Sequence, residues 1–269
     1  MKKHVLITGD CGFIGTNLKK EFGSRERLGG IYDIKGWDIK EGKDIFDGML
    51  EVSIKKADIV YHLAAKTSVE GSFSNPGEVF ITNVLGTARV AYLCALYKKK
   101  LIYPSTGAIY HRELSPYAES KAIAEEIVKG VQKSTPVVIL RLYNVFGEGM
   151  SKESGSIMYN FLHDKEILIY GDGEQKRDFV YVQDVVSVMQ EAMKSTWNGK
   201  TVEVGTGKSY TINYVGGLFA HFQKKKIIYR PPRREIKWSI ADTQMLYSLY
   251  KKKLKTDLEK NIKELCESN

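Results

Sequence analysis

Cysteine is scarce in this sequence, and its three copies are isolated from one another. Cys11, Cys94 and Cys266 form neither a CxxC pair nor a regularly spaced framework. The pattern of a disulfide-stapled secreted domain or of a zinc-binding module is therefore missing. We predict no metal site, and we expect a reducing cytoplasmic location.

Long apolar runs are also scarce. The basic start, MKKHVLITG, leads into an apolar run that meets a glycine turn after about five residues, too short for a signal-peptide core. No window approaches the roughly 20 apolar residues that are needed to cross a bilayer. We therefore expect no membrane partner.

Acidic residues are outnumbered, and the net charge of +9 is compatible with nucleic acid, a membrane surface or an anionic small substrate. Three basic runs lie beside predicted helix or strand ends, where such runs usually form solvated faces. No basic motif interleaved with aromatic residues indicates nucleic-acid binding. We expect no nucleic-acid partner. The runs are 98–100, 224–226 and 251–253.

Apolar strand candidates alternate with amphipathic helix candidates through the first half of the chain. Continuous apolar strands separated by helices are typical of a parallel sheet buried on both faces, which predicts a doubly wound α/β fold. The strand candidates are VLIT, GGIYD, ADIVYHLAA, KLIYPS and VVILRLYN. Glycine-bearing, mixed segments follow, so we expect a Rossmann domain over 1–147, to which the chain returns at about 177–197. A smaller α/β substrate-binding lobe would comprise 148–176 and 198–269.

A glycine-rich turn between the first strand and helix predicts a dinucleotide site. TGDCGFIG carries glycines that allow a sharp turn, the approach of backbone N–H groups to a pyrophosphate, and close packing of helix on sheet. Asp33 ends the GGIYD candidate, where an acid can bind the adenosine ribose and disfavour a 2′-phosphate. NAD is therefore predicted over NADP. We also expect Asp44 and Ile45 to flank the adenine, and the small residues after His62 to leave room for a flat ligand.

The segment STGAIYHRELSPYAESK contains the candidate proton-transfer groups. Tyr117 and Lys121 are four residues apart on a predicted helix, so they share one face. A neighbouring ammonium lowers the pKa of a tyrosine, which is otherwise too weak a base. Thr106 follows a predicted strand at the carboxyl edge of the sheet, where its hydroxyl can bind a substrate oxygen. These residues are the catalytic candidates.

The sequence resembles the extended short-chain dehydrogenases/reductases, in particular the NAD-dependent epimerase/dehydratase family, which includes UDP-glucose 4-epimerase. The matching strings occur in order and span most of the chain. They are TGDCGFIG at 8–15, YHLAA at 61–65, NVLGT at 83–87, STGAIY at 105–110, YAESK at 117–121, RLYNVFGEG at 141–149, YGDGEQKRDFVYVQDV at 170–185 and VGTGKSYTIN at 204–213.

The resemblance implies an NAD-dependent epimerase, with C4 of a UDP-sugar the first expectation. Tyr117 would accept a sugar hydroxyl proton while hydride passes to NAD, and Lys121 would also hold the nicotinamide ribose. Relatives often form homodimers, here through helices at 79–97 and 116–130. The implied substrate-binding residues are Thr106, Asn144, Arg177 and Arg233. The expected cofactor-binding residues are Gly9, Gly12, Phe13, Ile14, Gly15, Asp33, Asp44, Ile45, Leu63, Ala64, Ala65, Asn83, Tyr117, Lys121 and Tyr143.

The sequence departs from the family pattern in places that bear on the reaction. Relatives that dehydrate the sugar place an Asp-Glu pair after the catalytic threonine, whereas this chain has Gly107-Ala108, so we disfavour dehydration. The stretches 33–44 and 106–117 are shorter than usual, which leaves the sugar undefined. A nucleotide-sugar reductase, dehydrogenase or dehydratase stays an alternative, as does a non-catalytic NAD-binding regulator.

Overall fold

The computed structural model describes residues 2–26 and 31–269. The strands are β1 Lys3–Thr8, β2 Tyr32–Trp37, β3 Ile59–His62, β4 Lys100–Thr106, β5 Val137–Leu142, β6 Val145–Phe146, β7 Ile167–Tyr170, β8 Lys176–Arg177, β9 Val180–Tyr181, β10 Lys200–Val204, β11 Tyr210–Thr211, β12 Ile227–Arg230 and β13 Trp238–Ser239. The helices are α1 Phe13–Glu26, α2 Met49–Lys56, α3 Val69–Ser74, α4 Pro76–Phe80, α5 Thr87–Leu96, α6 Pro116–Gly130, α7 Ile157–His163, α8 Val182–Glu191, α9 Ile212–Gln223, α10 Gln244–Leu249 and α11 Leu258–Glu267.

Six of these strands form one parallel sheet in the order β10-β5-β4-β3-β1-β2. From β1 the chain adds β2 on one side and β3 on the other, so the order reverses there. In open α/β sheets a ligand crevice lies beyond the carboxyl ends of the strands at such a reversal. The predicted doubly wound Rossmann fold is confirmed.

Both faces of this sheet are covered, which explains the continuous apolar strands. In β1, Val5 and Ile7 belong to one buried cluster with α1 and α8, whereas Leu6 belongs to another with α2, α5 and α6. Alternate side chains of a strand point to opposite faces. Each strand of this kind therefore needs apolar residues at every position.

A smaller lobe has its own apolar cluster, built mainly from α7, α9, α11 and the β7–β12 pair. The predicted lobe boundary at residue 198 is wrong, because β10 pairs with β5 in the main sheet. Leu246 and Tyr250 also pack into the main core rather than into the lobe. The chain thus returns to the Rossmann domain over a longer stretch than the sequence indicated.

The second strand is an edge strand, and its register differs from the prediction. Its residues alternate between partly buried and exposed until Trp37, which is buried. The predicted GGIYD strand begins at Gly29 and Gly30, outside the described residues, and was expected to end at Asp33. Asp33 instead pairs with His4 at the amino end of the strand. The prediction that Asp33 ends the second strand is therefore wrong.

The segment Pro76–Leu96 forms one long helix that includes a π-helical turn at Ile81–Gly86. By length and composition this helix could cross a membrane, with a mean hydropathy of 1.6. The prediction that no window of the sequence is long and apolar enough to cross a bilayer is therefore wrong. Its buried face carries polar groups, because Asn83 bonds to Lys66 and to Ser120 of α6. About half of the helix packs inside the fold, with 44% of the apolar window buried.

Candidate active site

The glycine loop after β1 is bound to the two neighbouring strands. Gly9 has φ of +72°, and a Cβ there would lie 2.5 Å from the backbone nitrogen of Ala64. A Cβ on Gly15 would lie 2.5 Å from the Gly9 carbonyl oxygen. Only glycine fits these close approaches. They bring the amino end of α1, which begins at Phe13, to the carboxyl edge of the sheet, where its free N–H groups favour an anion.

Asp38, directly after β2, lies beside this loop. Its carboxylate accepts hydrogen bonds from the backbone N–H of Cys11 at 3.0 Å and of Lys40 at 2.9 Å. The Gly9 N–H donates to the carbonyl of Trp37, which ties the loop to the end of β2. Asp38 therefore occupies the position that the sequence analysis gave to Asp33. Asp33 lies at the other end of the strand, where its exposed carboxylate bonds to His4.

An ion pair with a buried carboxylate lies beneath the same loop. Asp10 is completely buried, and its carboxylate pairs with the ammonium of Lys19 on α1. A Cβ on Gly36 would overlap the Asp10 carboxylate, so Gly36 makes room for it. Ligand atoms of Asp10, Cys11 and Asp38 lie within 4.8 Å of one another, as metal ligands do. Lys19 already supplies a cation to this cluster.

The remaining predicted cofactor residues surround the crevice at the carboxyl edge. Leu63, Ala64 and Ala65 are partly buried after β3, and the Leu63 N–H donates to the Thr8 carbonyl. Asn83 fixes this loop, because its side chain bonds both the N–H and the carbonyl of Lys66. On the outer side, Ile45 is buried against Gly86, whereas Asp44 is exposed and caps the Phe46 N–H.

The three catalytic candidates meet where β4 ends and α6 begins. Thr106 is the last residue of β4, and its hydroxyl accepts a bond from the Ala108 N–H. Ser115 caps α6 by accepting from the Ala118 N–H, and Pro116 starts the helix. These signals fix the helix start, so Tyr117 and Lys121 lie one turn apart in its first half. The predicted helix is confirmed in type and position.

Burial controls the ionisation of these groups. It raises the pKa of Tyr117 to about 12, and a hydrogen bond with the Thr106 side chain opposes that rise. Burial lowers the pKa of Lys121 to about 7, with the Glu125 carboxylate acting in the opposite direction. The Lys121 ammonium donates to the carbonyl of Pro104 at 2.7 Å and lies over the ring of Tyr103. The ammonium of Lys121 therefore contacts two residues of β4, Pro104 and Tyr103, and not the Tyr117 hydroxyl.

A pocket of about 360 Å³ opens at Gly107, the residue after Thr106, between the main sheet and β13 of the lobe. Tyr143, predicted to belong to the cofactor framework, lines this pocket, and a Cβ on Gly107 would lie 2.6 Å from its ring. The Tyr143 hydroxyl donates to Glu203 at 2.7 Å. Glu203 was not identified from the sequence. The full lining is Gly107, Tyr110, His111, Tyr143, Glu203, Trp238, Ser239, Ile240 and Asp242.

The predicted phosphate-binding residues lie on the lobe side. Arg177 is largely buried and binds the Glu235 carboxylate at 2.9 Å. Burial lowers the pKa of Arg177, the Glu235 charge opposes this, and the Arg233 charge adds to it. Arg233 also lies over the ring of Tyr170, 4.2 Å from its centre. Asn144 is exposed and donates to the carbonyl of Asp178. Arg177 and Arg233 therefore share one cationic region, and Glu235 is a partner that the sequence did not indicate.

Residues 5–205 match the NAD-dependent epimerase/dehydratase family. The chain belongs to this family, which confirms the resemblance and the predicted NAD cofactor. The putative UDP-glucose 4-epimerase of Methanocaldococcus jannaschii is 28% identical, with 97% of this chain and 96% of that protein covered. The UDP-N-acetyl-alpha-D-glucosaminuronate decarboxylase of Bacillus cytotoxicus is also 28% identical, with 80% of this chain and 78% of that protein covered.

Solved structures share the whole fold. The UDP-N-acetylglucosamine 4-epimerase of Methanobrevibacter ruminantium, in complex with UDP-N-acetylmuramic acid, has a TM-score of 0.87 and is 27% identical, with 99% of this chain and 98% of that chain covered. Another similar structure holds UDP-glucose together with NAD. Nucleotide-sugar epimerases, decarboxylases and dehydratases all occur among the similar proteins. The family therefore defines an enzyme class, and the reaction within it has to be argued from the site.

The described residues fit a dinucleotide. The close contacts at Gly9 and Gly15 leave the loop backbone without side chains at its tightest points, and the amino end of α1 supplies N–H donors for a pyrophosphate. Asp38 supplies carboxylate acceptors at the end of β2 for ribose hydroxyls. The residues that would hold NAD are thus Gly9, Gly12, Gly15 and Asp38, with Lys121 on the nicotinamide side.

Proposed function

We propose that the protein is a nucleotide-sugar 4-epimerase that acts on a UDP-sugar. The observation that carries the proposal is the meeting of Thr106, Tyr117 and Lys121 at the carboxyl edge of the sheet, beside the glycine loop. A non-catalytic NAD-binding regulator has no need for this set of side chains. The full-length similarity to a putative UDP-glucose 4-epimerase supports the choice.

In the proposed reaction Tyr117 is the base and Thr106 orients the substrate hydroxyl. Tyr117 accepts the proton of the 4-hydroxyl as the C4–H bond breaks with loss of hydride, and it returns this proton when hydride is restored to the opposite face of the sugar. Bound NAD supplies the hydride acceptor and a positively charged ring. Because burial raises the pKa of Tyr117 to about 12, the tyrosine needs added positive charge to act as a base near neutral pH. Lys121 is one turn away to contribute it.

The residues after Thr106 favour epimerisation over elimination. Loss of water from a keto-sugar needs a proton donor near the leaving hydroxyl. Gly107 and Ala108 offer no such group, and the Tyr143 ring fills the space beside Gly107. The pocket carboxylate, Glu203, accepts bonds from Tyr110, Tyr143 and the Asp242 N–H, so its oxygens are occupied as acceptors.

Incubation with UDP-, dTDP- and GDP-sugars, followed by NMR and mass spectrometry, tests the proposal. Inversion at C4 with unchanged mass is the expected result, and the ratio of the two sugars should approach the same value from either side. Loss of 18 mass units would establish dehydration, and stoichiometric use of added NAD or NADH would establish a reductase or dehydrogenase. Tyr117→Phe should lower turnover by about 10²–10⁴-fold and leave NAD bound.

The lobe contributes to nucleotide recognition in this proposal. Planar guanidinium groups match phosphate oxygens in geometry. Arg177 would exchange its bond with Glu235 for the diphosphate, and Arg233 lies near enough to share the charge. Arg177→Gln should therefore weaken the binding of free UDP as well as of the UDP-sugar.

We also propose a homodimer through the helix Pro76–Leu96. Four large apolar side chains on it, Ile81, Leu85, Tyr92 and Leu96, are more than half exposed and recur at four- and seven-residue spacings. Such spacing places them on one face. Tyr92→Glu should convert the dimer to a monomer in solution-mass measurements, whereas Met245→Glu, an exposed apolar position on α10, should not.

A further inference from the structure

The pocket at Gly107 has an acidic wall that comes from β10. Glu203 is 13% exposed, and its carboxylate faces the cavity with Tyr110 and Tyr143 on either side. Both tyrosine hydroxyls donate to it, Tyr143 at 2.7 Å, and the Asp242 N–H donates at 2.8 Å. The carboxylate is therefore held in one place rather than free to swing into solvent.

The nearby cation, Arg141, is shared between Glu203 and Glu125, and Lys129 also pairs with Glu125. Arg141 lies 3.8 Å from Glu203, but its guanidinium makes its shortest ion pair with the fully buried Glu125 at 2.6 Å. Another of its nitrogens donates to Tyr110 at 2.5 Å. Asp242 adds a second carboxylate to the lining, and His111 is its one basic side chain. The lining thus presents two carboxylates and no lysine or arginine.

We infer that Glu203 determines sugar specificity by rejecting a carboxylate at C6, so that the substrate is a neutral hexose rather than a uronic acid. The inference rests on the proposed function for the location of the sugar. Thr106 itself is not part of the lining, but Gly107, which follows it directly, forms part of the wall, so we place the C6 end of a sugar whose C4 hydroxyl reaches Thr106 in this cavity. A carboxylate there would face Glu203 in a partly desolvated space, where like charges repel strongly. A hydroxymethyl group carries no charge and meets no such repulsion.

Dissociation constants measured by calorimetry on the NAD-loaded protein test this inference without requiring turnover. UDP-glucose and UDP-glucuronic acid are compared, since they differ only at C6, and UDP alone reports the nucleotide site. We expect UDP-glucuronic acid to bind at least about tenfold more weakly than UDP-glucose. Glu203→Gln should bring the two constants within about threefold of each other by strengthening uronate binding, with UDP unchanged.

Two further variants separate charge from structure. Tyr143→Phe keeps the Glu203 charge and should keep the discrimination, whereas Glu166→Gln removes an exposed carboxylate outside the pocket and should change nothing. If wild-type protein binds both sugars equally, or if Tyr143→Phe abolishes discrimination as Glu203→Gln does, the inference is wrong. A protein that fails to epimerise any sugar but still discriminates in binding would overturn the proposed reaction and leave this inference standing.

Discussion

The clearest prediction concerns which acid holds the adenosine ribose. Asp38→Ala removes a carboxylate that accepts bonds from the Cys11 and Lys40 N–H groups beside the glycine loop. A hydrogen bond to a charged group contributes about 1.5–3 kcal/mol. Loss of one ribose bond to Asp38 therefore corresponds to NAD binding that is weaker by about 10- to 150-fold. NADP should lose less, because the carboxylate that repels its 2′-phosphate is also gone.

Asp33→Ala is the matched control for this experiment. It removes the same charge from a position within β2, five residues before Asp38 and thus about 16 Å distant along an extended chain. We expect its NAD dissociation constant, measured by fluorescence titration, to stay within twofold of the wild-type value. Equal losses of NAD affinity in the two variants, or an unchanged NAD dissociation constant in Asp38→Ala, would refute the assignment of the ribose site to the end of β2.

Two other predictions concern stability. Burial lowers the pKa of Lys121 to about 7 from an ordinary 10.5, so between these pH values the unfolded chain binds a proton that the folded protein does not, and stability rises with pH. Urea unfolding across this window should show a flatter profile for Lys121→Met, and parallel profiles would contradict the burial of a titrating lysine. Gly107→Ala should cost about 1–3 kcal/mol because its Cβ would meet the Tyr143 ring at 2.6 Å. Gly217→Ala, in open space within α9, should instead stabilise by about 0.5–1 kcal/mol in the same assay, and a reversed order would show that Tyr143 moves freely.

The interior of the fold could be predicted from the sequence because burial on both faces imposes an unbroken apolar run. β1, β3, β4 and β5 each contain such a run, although β5 also carries Arg141 near its end, and the strand ends were placed to within a few residues. Edge strands have one side open to solvent, so they tolerate charges. β2 contains Asp33 and Lys35, and β10 contains Glu203. The predicted end of β2 at Asp33 was therefore too early, and β10 was predicted in the wrong lobe.

The residues of the candidate site also divide into those with a local sequence signal and those without one. Thr106, Tyr117 and Lys121 were found because a strand end and a helix start are both encoded locally, the latter by Ser115 and Pro116. Glu203 bonds to the Tyr143 side chain and Glu235 to the Arg177 side chain, each more than 55 residues away along the chain, so no local spacing could reveal these pairs. An acid in a strand carries no signal of its own until the partner is known.

The position of β2 as the outermost described strand of the main sheet links cofactor binding to local opening. Its backbone bonds to β1 on one side, and the glycine loop is bonded to its end through Trp37 and Asp38. A ribose held by Asp38 would therefore clamp this strand against its neighbour. Amide hydrogens of β2 should exchange slowly with deuterium while NAD is bound and much faster once it leaves. The amide hydrogens of β4, which lies inside the sheet, should exchange at the same rate with and without NAD. Release of the cofactor and fraying of this margin of the sheet would then be a single event.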